Sequence, residues 1–190
     1  QDQGGIGHEA LVSNVPGEEF SEPVTQATPF LYAGASRVIG HRIARIHRTP
    51  AGSVRAPGEA VGLTALEIAM DELAVASAID PVELRLRNIP ERDPSEDIPF
   101  SSHMLAEALK TGAESFGWNK RKTDPGSVRD GEWLVGLGMA SAVRVNMLIE
   151  SKARVTLATD GGAIVESDMT DIGTGTYAVL TQLAAEMLGL

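Results

Sequence analysis

Two short segments hold the residue types from which a site for an anionic oxygen or a phosphate is built: Arg55-Ala56-Pro57-Gly58-Glu59-Ala60 and Asp171-Ile172-Gly173-Thr174-Gly175-Thr176. Each follows extended chain and leads into an amphipathic helix pattern. Small residues let a backbone approach a ligand closely. A helix start offers unpaired N–H groups and the positive end of its dipole. Arg55 adds a charge and a fork of donors, and Thr174 and Thr176 add hydroxyls. Glycine ahead of a helix is equally ordinary loop punctuation. Neither segment carries the Gly-Lys-Ser/Thr of a P-loop, and neither is a Gly-x-Gly-x-x-Gly in a βαβ setting. The spacing alone supports an anion site and no particular guest.

The remaining reactive side chains point less clearly. His41 and His47 stand six residues apart, which suits neither two ligands on one strand face nor one helix turn. With His8 and His103 they read as solvated or hydrogen-bonded histidines, and no metal ligand is assigned. Glu59 and Glu67 are the carboxylates nearest a motif, and Glu59 reads as a brace for its loop or helix start. Met70 and Trp118 read as core packing. The chain has no cysteine, which excludes disulfides, thiolate zinc sites and iron–sulfur clusters held by this chain itself.

The elements that must position these groups follow from periodicity. Residues 1–28 are polar and rich in glycine and proline, and read as irregular or extended. From Pro29 to Pro50 the pattern favours strands, at Phe30-Leu31-Tyr32, Val38-Ile39 and Ile43 to Ile46. After the loop from Thr49 to Glu59, Leu63, Leu66, Met70 and Leu73 fall on one helix face beside Ala69, with Glu67, Asp71 and Glu72 opposite. Asp80-Pro81-Val82-Glu83 opens a second helix: Asp80 as N-cap, Pro81 first, Glu83 completing a capping box. Asn88-Ile89-Pro90 ends it. A third helix is expected from His103 to Phe116, capped by Ser102 and stopped by Gly117. Beyond a charged linker, strands are expected over Trp133–Arg144, Lys152–Thr159 and Ala163–Ser167, the last two joined by the turn Asp160-Gly161-Gly162. An amphipathic helix through Tyr177, Leu180, Leu183 and Met187 closes the chain. The fold class is mixed α/β (α+β), largely antiparallel, since βαβ alternation is missing.

Composition narrows the function classes. A net charge of −10 over 190 residues, with no basic run longer than Lys120-Arg121-Lys122, repels a phosphate backbone, so no nucleic-acid partner is expected. No apolar stretch is long enough to span a membrane. The opening Gln1-Asp2-Gln3-Gly4-Gly5, without an initiator Met, reads as a cut inside a longer polypeptide.

Residues 55–62 (RAPGEAVG), 65–74 (ALEIAMDELA) and 80–88 (DPVELRLRN) together resemble the molybdenum-binding subunit of the xanthine dehydrogenase/aldehyde oxidase family. They are most similar to the bacterial periplasmic aldehyde oxidoreductase type. Ser101-Ser102, Phe116-Gly117-Trp118, residues 136–140 (GLGMA), Asp171–Thr176 and residues 180–189 (LTQLAAEMLG) continue the match in order.

The resemblance implies hydroxylation of an aldehyde or an N-heterocycle carbon with oxygen from water. It implies molybdenum held by a pterin dithiolene, of the cytosine dinucleotide form, with iron–sulfur clusters and FAD on partner subunits. It places Arg55, Ala56, Gly58 and Glu59 beside the molybdenum oxygen ligands. It places Ile172, Gly173, Thr174, Gly175 and Thr176 against the pterin, its phosphate or a metal-bound oxygen. Many relatives carry Gly-Gln-Gly where this chain has Gly173-Thr174-Gly175, which puts the glutamine-to-oxo hydrogen bond in doubt.

Arg144, in Ala142-Val143-Arg144-Val145-Asn146, falls where this branch carries a pocket arginine. It either orients substrate and steadies negative charge or pairs with a surface acid. The family's general base lies near the C-terminus of the full subunit, and no residue here is assigned that role. Residues 1–118 are expected to end a first molybdopterin-binding domain, 119–131 to link, and 132–190 to begin a second lobe. Two other readings stand beside this one: a folded scaffold piece without cofactor or turnover, and an acidic module with two anion-accepting helix starts.

Overall fold

The structure, a computed structural model, describes residues 8–13, 21–34, 36–46, 53–144 and 149–190. Parts of the glycine-rich start, together with His47, Pro50, Gly52 and Asn146, lie outside the described residues. Two compact units divide the chain, Gln1–Val145 and Asn146–Leu190, and 119–131 falls inside the first. The architecture is mixed α/β. Among the described residues no helix is long and apolar enough to cross a membrane.

The first unit is built around the long helix that follows the first glycine loop. It begins with strand β1 (His8–Ser13), helix α1 (Thr28–Leu31) and strand β2 (His41–Ile46). Strands β1 and β2 pair in parallel, from His8↔His41 to Ser13↔Ile46, within a set of pairs that is otherwise antiparallel, as expected. Phe30-Leu31 is helix rather than strand. Pro29 sits in the first turn of α1, where its fixed φ is already helical, and Leu31 is buried. The Arg37 guanidinium donates to the Pro29 and Tyr32 carbonyls and holds this turn. Val38 and Ile39 join no strand and are exposed.

Helix α2 (Glu59–Ser77) buries a stripe of Leu63, Leu66, Met70 and Ala74. Two details differ from the periodic reading. Leu73 is exposed, because the stripe turns toward Ala74. Glu67 is buried, because the next helix brings a cation to it. That helix, α3 (Pro81–Asn88), starts as its sequence says: the Asp80 carboxylate accepts from the Val82 and Glu83 amides. Glu83 turns instead to Arg87, one helical turn on, so the capping box is half made.

Helix α4 (Leu105–Phe116) ends at Gly117 with φ +78°, but its N-cap is Met104, and Ser102 makes no cap. Trp118 is only part-buried. Its indole N–H donates to Asp80, and Arg121 lies over its ring. Of the strand expected over Trp133–Arg144, only Trp133–Leu134 (β4) forms, paired with Arg129–Asp130 (β3). No other strand runs alongside 135–144 among the described residues.

The second unit is the hairpin β5 (Ala153–Leu157) and β6 (Ala163–Ser167), with helix α5 (Thr176–Leu188) against β6. Val155 faces Val165 across the hairpin. The turn lies at the expected glycines: Gly161 takes φ +88°, and Asp160 accepts from the Gly162 amide. None of the described residues of this unit is fully buried.

Candidate functional site

In the first unit a groove of about 770 Å³ lies between α2 and the segment Met139–Arg144. Leu63, Ile68 and Val143 give it apolar walls, and Glu59 and Arg144 stand on its lining together. The Arg144 Nη1 donates to both Glu59 carboxylate oxygens at 2.7 Å. Glu59 is 4% exposed while the Arg144 side chain is 58% exposed, so the acid is fixed and the cation keeps an open side. One alternative for Arg144, pairing with a surface acid, is met only in part. It pairs with an acid, but that acid is buried and in the groove.

The first glycine loop divides its residues. Ala56, at φ +58°, and Glu59 face the groove. Arg55 and Gly58 do not line it; Arg55 is exposed and makes no ion pair among the described residues. Gly58 is buried against the preceding segment. A Cβ there would sit 2.4 Å from the Pro23 carbonyl oxygen, and φ is +77°. Two residues that sequence reasoning passed over hold this loop. Glu22 accepts from the Val54 amide at 3.2 Å and the Gly58 amide at 3.0 Å, and Gln26 donates to the Pro57 carbonyl at 2.7 Å. Nothing in a polar, aperiodic stretch marks such a role. A carboxylate of the chain itself thus takes the Gly58 donor.

A buried polar cluster lies beneath the groove. Glu67 accepts from the Tyr32 hydroxyl at 2.7 Å, from Arg85 Nε at 2.8 Å and from the Ser141 amide at 2.8 Å. Arg85 is 0% exposed, and its remaining donors reach the Glu67 and Pro81 carbonyls and the Asp71 carboxylate. Burial, then the hydrogen bond to Glu67, pushes the Tyr32 hydroxyl well above the ordinary phenol value. The Arg85 guanidinium is desolvated, which works against its charge, yet Glu67 and Asp71 outweigh this and hold it firmly protonated.

The second glycine loop belongs to the second unit. The amides of Gly173, Thr174 and Gly175 donate to Asp171 Oδ1 at 2.8, 3.0 and 3.2 Å. Thr174 and Thr176 share a hydroxyl contact of 3.0 Å, and Ile172 is exposed. The donors that spacing offered to a guest are folded onto the motif's own aspartate. An Asp two residues ahead of a glycine, before a helix, is the signal that would have found this.

These bonds, that from Gly173 first, lower the Asp171 carboxyl below its ordinary 3.8. A lowered carboxylate stabilises the loop above that value and loses its effect as pH falls through the folded one. Asp171→Ala is therefore expected to lower the amide protection factors at Gly173 and Gly175 by about tenfold at neutral pH, a loss of protection that protonating Asp171 with acid reproduces in the parent. Unchanged exchange would show that the loop holds itself.

Two histidines have described side chains. His41 Nε2 lies 3.0 Å from the Ser21 hydroxyl, and His103 stacks on Phe100.

Two family models, each described as a molybdopterin cofactor-binding domain, match residues 14–89 and 111–190. The chain is 52% identical over 186 residues to the aldehyde oxidoreductase molybdenum-binding subunit PaoC of Escherichia coli K12, covering 97% of this chain and 25% of that protein. It is 29% identical over 168 residues to a putative xanthine dehydrogenase molybdenum-binding subunit, XdhA, of the same organism, covering 85% of this chain and 22% of that one. The chain thus spans about a quarter of the length of the curated relatives it matches. Among solved structures, the aldehyde oxidoreductase of Desulfovibrio gigas shares the fold. It matches with a TM-score of 0.52 at 20% identity, over 83% of this chain and 18% of that one.

Proposed function

This chain belongs to the molybdopterin cofactor-binding domain family, and from that membership we propose that it acts as part of the molybdenum-binding subunit of a molybdenum hydroxylase. The reaction is oxidative hydroxylation of an aldehyde or an N-heterocycle carbon with water-derived oxygen. Molybdopterin cytosine dinucleotide is the cofactor, and iron–sulfur and FAD subunits are the partners. Residues 1–118 end one cofactor-binding domain, and 132–190 begin the next.

The observation that carries this reading is the meeting of Ala56, Glu59 and Arg144 on one apolar-walled groove. A pocket of this size with a few fixed polar groups suits a small organic guest. Arg144, the one cation on the groove lining, keeps an open side that suits an anionic oxygen, while the lining carboxylates Glu59, Glu67 and Asp71 are turned to Arg144 and Arg85. When bound, the molybdenum centre supplies the oxidation and the oxygen transfer.

The residues of this chain bind and orient. Ala56 and Glu59 face the cofactor from the groove lining; Gly58 sets the turn that carries them, and exposed Arg55 meets the cofactor from outside that lining. Ile172, Gly173, Thr174, Gly175 and Thr176 contact the pterin once Asp171 yields the loop amides. Arg144, held by Glu59 through one nitrogen, turns its other donors toward the substrate and toward negative charge building on oxygen.

Arg144→Ala in the intact protein is expected to lower kcat/KM by about a hundredfold while bound molybdenum and pterin stay constant. Turnover within twofold of the parent would sink the assignment. The capture of the second loop's amides by Asp171 favours a second reading for the chain by itself, a scaffold that holds no cofactor. Metal analysis of the purified chain separates the two.

A further inference from the structure

Resting on the reading that Arg144 faces the guest of the groove, we propose that Glu67 is a positioning residue, which sets the register of the segment that carries Arg144. The segment has few other ties: Arg121 Nε donates to the Leu137 carbonyl at 3.4 Å, four residues before Ser141. Beyond Val135, whose amide donates to Val128, it leaves the β ribbon. Among the described residues, the Ser141 amide is the one backbone donor between Gly136 and Arg144 that makes a hydrogen bond, and its acceptor is Glu67 Oε2. Val143 packs against the core, but apolar contact is non-directional and tolerates a slip along the helix. A hydrogen bond to a fixed carboxylate does not.

Glu67 is fixed. Its Oε1 is held by Tyr32, its Oε2 by Arg85, and the side chain is almost fully buried. Glu59 and Glu67 lie eight residues apart on α2, a rise of about 12 Å. Ser141 and Arg144 lie three residues apart, about 10 Å of extended chain. The segment therefore runs against the helix and is tied to it twice, at Glu67 through Ser141 and at Glu59 through Arg144. The inner tie is buried and lacks water as a competitor. The outer one is half open to solvent. The inner tie thus sets the register, and the outer one follows.

Hydrogen exchange on the intact protein tests the tie directly. The Ser141 amide should exchange about tenfold more slowly than those of Ala142 and Arg144. Equal, fast exchange across the segment overturns the proposal. Kinetics then test the positioning. Ser141→Pro deletes the donor and leaves Tyr32, Glu67 and Arg85 untouched, so it remains informative if a Glu67 variant fails to fold. It should raise KM and lower kcat together, for a loss of about tenfold in kcat/KM, because Arg144 serves both the substrate and the developing charge.

Glu67→Gln keeps a carbonyl acceptor for the Ser141 amide and should retain the parent kcat/KM, whereas Glu67→Met should behave as Ser141→Pro does. Placed on Arg144→Ala, the Ser141→Pro change should add less than about twofold; fully additive losses overturn a role exerted through Arg144. If Arg144→Ala leaves turnover intact, the reading of Arg144 fails, while the exchange pattern still decides whether Glu67 holds the segment.

Discussion

Arg85→Met should lower the stability of the first unit by about 3–5 kcal/mol, read as a shift in the urea midpoint at constant m. Arg85 is wholly buried and feeds donors to Glu67, Asp71 and the Glu67 and Pro81 carbonyls. Methionine fills much of the same space, so lost packing is the smaller part. The larger part is a Glu67 carboxylate left in the interior with only Tyr32 and Ser141 to answer it. The intact ion pair is worth far less than the cost of halving it, because both charges gave up water to be there. Pairing Arg85→Met with Glu67→Met should therefore recover about 1–3 kcal/mol through the coupling of the two sites. A single-variant loss below about 1 kcal/mol, the scale of an ordinary surface contact, would mean that the cluster relaxes or admits water, and that its charges are not the anchor described here.

Gly62→Ala is the second large effect, and its sign runs against helix propensity. Alanine in mid-helix gains about 1 kcal/mol over glycine, and Gly62 lies inside α2. A Cβ at this position would stand 1.7 Å from the Val24 carbonyl oxygen and 2.8 Å from its carbon. Both are backbone atoms, so no rotamer change relieves the overlap. Residues 22–26, which carry Glu22 and Gln26 to the first glycine loop, would have to lift off the helix. Overpacking of this kind costs about 3 kcal/mol or more where the backbone must move, which outweighs the propensity gain. Thermal unfolding should show a lower Tm for Gly62→Ala than for the exposed control Gly112→Ala, where a Cβ meets nothing within 4 Å. A rise in Tm at Gly62 would show that the segment 22–26 does not lie on α2.

Helices and hairpin were legible because their causes are local. The Leu63–Leu66–Met70 spacing, the Asp80-Pro81 start, the Gly117 stop and the glycine turn at Gly161 each write a backbone preference into a few adjacent residues. The two glycine loops were legible in the same way, as residue types in a pattern, whereas Arg144 stood out only by resemblance to the family. What those residues touch was not legible. Glu67, four residues after Leu63 and three before Met70, lies on the buried stripe by spacing, and only its charge argues for solvent; that Arg85, on another helix, supplies the partner is not written around it. Glu22 and Gln26 carried no signal, since their partners lie more than thirty positions away.

The sequence by itself determined where the chain turns, where it coils and which loops could bind oxygen. Only the tertiary structure decided which donors already have a partner. Gly58 is answered by Glu22, far off in sequence, while Arg144 keeps an open side toward a groove. Backbone preference is a property of neighbours along the chain. Hydrogen-bond satisfaction in an interior is a property of neighbours in space, and desolvation makes each such partner count.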